Sequence, residues 1–321
     1  MKAIVYTKYG PPDIVLQLKE VEKPTPRDNE VLVEIHAVSI NFGDWAYVRG
    51  EPFIVRLMGA GLLKPRNKIL GSDIAGRVEA VGRDVEQFQP GDEVFGELAM
   101  CGWGGFAEYA SAPENVLALK PANLTFEEAA AVPQAATVAL HGLRDKGQVQ
   151  PGQKVLINGA SGGIGTFAVQ IAKSFGAEVT GVCSTRNLDM VRSIGADHVI
   201  DYTKEDFTQN EGRYDRIIDI VANRSMSDYM RALSLEGRYV AVAFNPSSMF
   251  ARGGGKKAGP LVVESSVKDL VFLKELIEAG KVVPVIDRRY PLSEVAEALR
   301  YYGERHSQGK VVITVANDDK S

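Results

Sequence analysis

Along the first third of the chain, apolar and polar positions alternate in short runs: AIVY near the start, VLVEIHA at 31–37, IAGRVEAV at 74–81, Asp92–Phe95 and Phe106–Ala110. Alternation of this kind marks strands with one buried face. Turn formers separate the runs, at Gly10-Pro11-Pro12, Pro24–Asp28, Pro90-Gly91-Asp92 and Gly102–Gly105, and the whole reads as a compact β domain. From residue 125 the pattern changes. Six strand-like runs, KVLIN, EVTGVC, DHVIDY, RIIDIV, RYVAVAF and PLVVES, alternate with segments of helical spacing. That alternation predicts an α/β domain, a doubly wound parallel sheet with helices on both faces. The last part holds a helix over Val267–Ala279, an extended segment Val282–Arg288, a helix over Leu292–Tyr302 and a strand Lys310–Val315. The expected organisation is therefore 1–124, β-rich; 125–265, Rossmann-like; and 266–321, a C-terminal segment of mixed helix and strand.

The chemistry is concentrated where KVLIN runs into Gly159, Gly162, Gly163 and Gly165, followed by Phe167, Ile171 and Phe175 at helical spacing. A strand, a glycine turn and a helix make a site for a dinucleotide pyrophosphate. The glycines let the backbone approach the phosphates, and the first N–H groups of the helix point at the anion. EVTGVC then ends in Ser184, Thr185, Arg186 and Asn187, where an NAD enzyme places an Asp or Glu for the ribose. Hydroxyls and a guanidinium suit a 2′-phosphate instead, which favours NADP over NAD.

Composition narrows the partners. With 321 residues, 45% hydrophobic and 24% charged, the chain is long enough for two ordinary globular domains. A net charge of −4 gives no basis for nucleic-acid binding. No apolar stretch reaches membrane-spanning or signal-peptide length, so the expectation is a cytoplasmic protein without a membrane partner. Two cysteines, Cys101 and Cys183, cannot build a disulfide framework and read as structural thiols.

The order of these pieces, with LGSDIAGRVEAVG at 70–82, QPGDEVFG at 89–96, AAAVPQAATVALHGL at 129–143, NGASGGIG, GADHVIDY at 195–202 and GKVVITV, resembles the medium-chain dehydrogenase/reductase superfamily in its quinone oxidoreductase-like branch. The resemblance covers essentially the whole chain. It implies a twisted β-barrel-like (GroES-like) catalytic domain interrupted by a Rossmann domain, with 266–321 a return segment completing the first and the active site in the cleft between them. It also implies a homodimer paired through the sixth strand near Leu261–Val263. Zinc members carry a cysteine and a histidine where this chain has Asn41 and Ser72, and the structural-zinc lobe of four cysteines has no counterpart among two. His36, His141, His198 and His306 show no ligand spacing. No zinc is expected.

Without a Lewis acid, the chemistry open to such a site is hydride delivery from NADPH to a quinone, or to the β-carbon of an α,β-unsaturated carbonyl. The resemblance assigns Asn41 and Asp44, in INFGDW, to the lining of the reacting centre, with Asn41 a donor and Asp44 a loop holder. Turn statistics read the same pair as an Asx turn. Tyr47 is a proton donor or an aromatic wall. Thr137 would lie beside the nicotinamide, Ala160, Ser161, Gly162, Gly163 and Ile164 would cradle the pyrophosphate, and Ser184 and Arg186, with Tyr202, would hold the 2′-phosphate. Phe244 and Asn245 would meet the carboxamide. The apolar stretch within 45–66 reads as a pocket wall or lid, or as a helix packed on its domain. The glycine spacing also fits short-chain dehydrogenases, but no tyrosine here has the lysine four places later that their chemistry needs. A non-catalytic NADPH-binding redox sensor or structural protein is the alternative to a reductase.

Overall fold

The computed structural model describes residues 1–209, 213–242, 252–253, 256–261, 266–304 and 307–315. The chain divides into two compact units, one of Met1–Gln134, Ser265–Glu275 and Ile286–Ser321, the other of Ala135–Glu264 and Leu276–Val285. The first boundary falls after Gln134 instead of residue 124 because the helix Phe126–Ala130 packs on the strands Glu30–Ser39 and Asp73–Val81. The return segment is itself divided. Leu276–Val285 stays with the second unit, where the Gln170 side chain clamps Val283, its Nε2 donating to the Val283 carbonyl at 2.9 Å and its Oε1 accepting from the Val283 N–H at 2.8 Å.

The first unit is built on a sheet in the order Ile286–Pro291, Lys310–Thr314, Glu30–Ser39, Asp73–Val81, Glu93–Glu97, Leu117–Leu119, with Tyr109–Pro113 also pairing with Glu30–Ser39. Lys2–Val5 and Gln17–Glu20 form a separate antiparallel ribbon. The chain end is thereby sewn beside residues far away in sequence: Val312 faces Ser39, and the Ile40 N–H donates to the Val311 carbonyl at 2.9 Å. Continued by one step, that register sets Lys310 beside Asn41. Val33, Ile35, Val38, Ile74, Val94, Phe106, Leu299 and Ile313 fill the core, each almost wholly withdrawn from water.

The strand expected over Phe106–Ala110 lies at Tyr109–Pro113. Phe106 is instead spent on a turn, its N–H donating to the Leu70 carbonyl at 2.8 Å, and Ala107 bridges to Ala3. In the 45–66 stretch, Phe42–Arg49 is helical and ends at Gly50, whose φ of 63° is the left-handed turn a glycine supplies without strain. A single irregular helical turn follows at Arg56–Ala60, and Phe53, Ile54, Leu57, Leu62 and Leu63 stand exposed instead of packed.

The second unit carries a sheet in the order His198–Asp201, Glu178–Cys183, Lys154–Asn158, Tyr214–Asp219, Leu233–Ala241, Lys256–Pro260, all parallel, with Arg252–Gly253 antiparallel at the edge. In chain order this is 3-2-1-4-5-6, the doubly wound arrangement, whose order reverses between Lys154–Asn158 and Tyr214–Asp219. The sixth strand lies earlier than the expected PLVVES, ending at Pro260, where the ladder to Leu233–Ala241 also ends. The expected dimer segment beyond Leu261 lies outside the described residues, as do Phe244 and Asn245. The helix Gly163–Ser174 buries Phe167, Ala168, Ile171 and Ala172, the face its spacing predicts. Among the described residues no helix is long and apolar enough to cross a membrane.

Candidate active site

In the second unit the glycine turn is held by backbone geometry. Gly159 adopts φ 92°, and a side-chain carbon there would stand 2.7 Å from Val221 Cγ2. Gly165 is packed harder still: an added Cβ would lie 2.0 Å from the Gly159 carbonyl oxygen, so only glycine lets the helix start this close to the strand. Gly162 differs. Its backbone is extended, and an added Cβ would meet nothing nearer than the Gly159 oxygen at 3.7 Å. Space is open at Gly162, in front of the first helical N–H groups of Gly163 and Ile164, whose ladder begins only with Thr166 donating to Gly162. Ala160 is buried, and Ser161, Gly162, Gly163 and Ile164 are half-buried. Open space before unpaired helix N–H groups suits an anion.

The next strand end supports it. The Asn187 amide donates to Ser161 Oγ at 2.9 Å and to Ser184 Oγ at 3.3 Å, tying the turn after Glu178–Cys183 to the glycine turn. Arg186 and Thr185 are exposed. Thr185 is already engaged, its hydroxyl donating to the Asp201 carboxylate at 2.5 Å. Hydrogen bonds from Thr185 and Thr203 hold that carboxyl down, at about 2. Of the two hydroxyls at this turn only Ser184 keeps a donor that no bond to Asp201 consumes, and Tyr202 beside it is exposed. Sequence reading missed Asp201 in this role because it sits on a neighbouring strand, sixteen residues from Thr185.

A second group missed from sequence stands where the strand order reverses. Asn158 and Asp219 face each other across paired strands, with Asn158 Nδ2 donating to Asp219 Oδ1 at 2.8 Å and to the Tyr229 hydroxyl at 3.2 Å. Tyr239 donates to Asp219 Oδ2 at 2.6 Å, and the Val221 and Ala222 N–H groups donate to Oδ1. These bonds fix the loop after Tyr214–Asp219, against which Gly159 packs. Thr137, on the helix Pro133–Leu140, is 1% exposed, and its hydroxyl has no partner. A buried orphan hydroxyl costs about 1–3 kcal/mol and marks a place where a polar ligand group fits.

In the first unit a compact polar cluster is built around Asn41. The helix Phe42–Arg49 starts there, and Asp44 reaches back to accept from the Asn41 N–H at 2.8 Å while its other oxygen accepts from the Gly71 N–H at 2.9 Å. Gly71 has φ 91° and a Cβ there would strike the Gly105–Phe106 backbone, so Asp44 staples a turn that only glycine can make. Asp44 is fully buried, which pushes its carboxyl up to about 7 against the pull of those two backbone donors. Its partners make it a loop holder. Tyr47 on the same helix is half-buried with its ring 4.9 Å from Trp103, and its hydroxyl faces Gly59. Burial raises its proton affinity.

The Asn41 side chain is 5% exposed. Its Oδ1 accepts from Lys310 Nζ at 2.5 Å, and its Nδ2 donates to Ser72 Oγ at 3.1 Å. Lys310 also donates to the Ile40 carbonyl at 3.1 Å and stands 3.8 Å from Asp73 Oδ2. That same oxygen accepts from Ser39 Oγ at 3.3 Å and from the Gln134 N–H at 3.2 Å, and Gln134 Nε2 donates to Glu97 at 2.8 Å. Burial favours the neutral form of both partners, raising the Asp73 carboxyl and lowering the Lys310 amine, while their mutual attraction and the Asn41 amide oppose it at Asp73. Lys310 carried no sequence signal beyond its place at the start of a strand.

The histidines do other work: His36 stacks on Phe126 at 4.2 Å, His141 lies 3.8 Å from Asp145 and His198 3.1 Å from Glu178, while His306 lies outside the described residues. Among the described residues no group of three or more His, Cys, Asp or Glu is placed to hold a metal ion. Burial pushes both thiols, Cys101 and Cys183, up to about 11.

A doubly wound sheet with an open glycine turn at its reversal, and a β unit carrying a buried polar cluster, define a nicotinamide-dependent oxidoreductase of two units. Comparison with known proteins gives the family. The profile for an alcohol dehydrogenase GroES-like domain matches residues 27–122, and that for a zinc-binding dehydrogenase matches 194–313. A chloroplast envelope quinone oxidoreductase homolog of Arabidopsis thaliana is 32% identical over 98% of both chains. An NADPH-dependent alkenal/one oxidoreductase of the same plant is 33% identical over 98% of this chain and 79% of its own. The solved quinone oxidoreductase of Coxiella burnetii superposes with a TM-score of 0.88 at 30% identity, covering 98% of this chain and 99% of that one. The chain belongs to the medium-chain dehydrogenase/reductase superfamily, among its quinone oxidoreductases and enone reductases.

Proposed function

We propose that this protein is an NADPH-dependent reductase of quinones or of the carbon–carbon double bond in α,β-unsaturated carbonyls, working without zinc. The observation that carries the reading is similarity over 98% of this chain to quinone and alkenal/one oxidoreductases, joined to a cluster whose central groups are an amide, Asn41, and a hydroxyl, Ser72. Both are poor zinc ligands and good hydrogen-bond partners. The N–H groups of Gly163 and Ile164 and the open space at Gly162 would take the pyrophosphate, and the orphan hydroxyl of Thr137 would meet the nicotinamide end. The exposed Arg186 with Ser184 would take the 2′-phosphate, which favours NADPH over NADH. When bound, the cofactor supplies the hydride; the chain's residues bind, orient and polarise. Asn41 would donate from its amide to the substrate oxygen as negative charge develops there. Asp44, committed to two backbone N–H groups, would hold the turn and take no proton from the reaction.

The test is titration of purified, chelator-treated protein with NADPH and NADH by fluorescence, followed by addition of 9,10-phenanthrenequinone and a short enone. Acceptor-dependent NADPH oxidation is expected. Tight NADPH binding with no oxidation across a broad acceptor panel would refute the reductase.

A further inference from the structure

We infer that Lys310 is a positioning residue for Asn41, setting which end of its amide is presented as a donor; the inference rests on the reductase reading above. A lysine ammonium has only donors, so the group it meets at 2.5 Å must be the amide oxygen of Asn41. The NH2 end is then turned toward Ser72, at 3.1 Å. Rotation of the amide by half a turn would set N–H against N–H in a buried site, at the cost of the strongest contact Asn41 makes. The cation also draws electron density toward the amide oxygen, which makes the opposite N–H groups better donors.

Lys310 acts on Asn41 a second time through Asp73. The Asp73 carboxylate competes for the Asn41 amide, and hydrogen bonding from Asn41 favours its charged form. Lys310, 3.8 Å from Asp73 Oδ2, offers Asp73 a cationic partner in place of that neutral amide donor. Nothing local in the sequence makes this pairing. It exists because Lys310–Thr314 lies antiparallel to Glu30–Ser39, which joins residues 269 positions apart. Val311, Val312 and Ile313 of the same strand are core residues and Thr314 is uncharged, so the lysine is the single charge this strand carries into the interior.

The experiment is a double-mutant cycle on the full chain, with Lys310→Met, Asn41→Ala and both together, reading kcat and KM for a quinone, the NADPH Kd and the melting temperature. Lys120→Met serves as control. That lysine is also largely buried, 3.3 Å from Glu93, and stands outside the cluster. Lys310→Met is expected to lower kcat about 10–100-fold with the NADPH Kd within about twofold, and to lower it no further in the Asn41→Ala background. Lys120→Met should lower the melting temperature and leave kcat alone. A second reading needs no turnover. In 15N-asparagine-labelled protein the Asn41 side-chain resonances, identified by their loss in Asn41→Ala, should broaden in Lys310→Met as the amide samples both orientations.

Equal losses of kcat from Lys310→Met in the wild-type and Asn41→Ala backgrounds would overturn the inference, as would wild-type kcat in Lys310→Met. Should removal of one charge leave Asp73 uncompensated and the protein unfolded, Lys310→Met/Asp73→Asn removes both charges and enters the cycle in its place, with the same expectation. A wild-type protein that oxidises NADPH with none of the acceptors would instead sink the reductase reading, and this inference with it. Turnover in the wild type with no coupling between Lys310 and Asn41 sinks the inference alone.

Discussion

Two glycines three residues apart, Gly162 and Gly165, should separate cofactor binding from folding. At Gly165 an alanine methyl would lie 2.0 Å from the Gly159 oxygen and 2.8 Å from Ala160 backbone carbons. These are main-chain atoms of the turn itself, so relief requires the helix to move off the strand. Overpacking of this kind costs about 1–3 kcal/mol, and with backbone as the obstacle the upper end applies. For a unit of this size each kcal/mol is worth roughly 2–4 °C of melting temperature, so a fall of about 6–12 °C is expected. At Gly162 the methyl meets one ordinary contact, at 3.7 Å, and φ −83°, ψ 177° suits alanine. Loss of the glycine N-cap costs a few tenths to about 1 kcal/mol, and the reduced freedom of the unfolded chain returns about 0.4–1 kcal/mol. Gly162→Ala should therefore melt within about 2 °C of wild type. Its methyl fills the space the pyrophosphate needs, and displacing one or two charge-assisted bonds at about 1.5–3 kcal/mol raises the Kd for NADPH and NADH alike roughly 10–150-fold. Calorimetry and fluorescence titration on both variants decide it. Unchanged affinity in Gly162→Ala would remove the pyrophosphate from this turn, and an unshifted melting temperature in Gly165→Ala would refute the packing argument.

Other perturbations test the remaining groups. Arg186→Ala should raise the NADPH Kd about 10–100-fold and leave NADH nearly unchanged; equal losses for both would take the 2′-phosphate away from Arg186. Thr137→Val removes a buried hydroxyl that has no partner, so the melting temperature should hold or rise by a few degrees while kcat or cofactor affinity falls. Gain of stability with full function would make Thr137 a packing residue. Asp44 binds its proton more tightly folded, at about 7, than in the unfolded chain, where an aspartate titrates near its ordinary 3.8. Its contribution to stability is thus present below about pH 4 and lost as pH rises toward and through 7. Asp44→Asn should lower the melting temperature overall, since one of two backbone donors loses its acceptor, yet flatten its decline between pH 5 and 8. A variant whose melting temperature falls as steeply as that of wild type over this range would show that Asp44 does not titrate there. Asn41→Ala should lower turnover more than it changes the NADPH Kd, read by steady-state kinetics beside titration.

Much of the second unit was legible because its information is local. KVLIN and EVTGVC occur as strands at the expected residues, the helix follows the glycine turn, and the open and packed glycines alternate within seven positions. Strand ends were less certain. Phe106 belongs to a turn because the backbone at Leu70 claims its N–H, and no run of seven residues contains that fact. Thr185 looked like a phosphate donor until the neighbouring strand brought Asp201 to its hydroxyl.

By itself the sequence determined the main strands and the glycine turn of the second unit, since these depend on residue type and short spacing, and the family resemblance set Asn41 and Ser72 where zinc relatives carry thiolate and imidazole. It singled out Asn41 but could not say which end of the amide faces which way. Tertiary structure decided that, and with it the network of Lys310, Ser72 and Asp73 and the one joining Asn158 to Asp219, Tyr229 and Tyr239. The physical reason is separation along the chain. Buried polar groups must find partners wherever the sheet brings them, and here the register of strands, joining residues 61 and 269 positions apart, makes the choice.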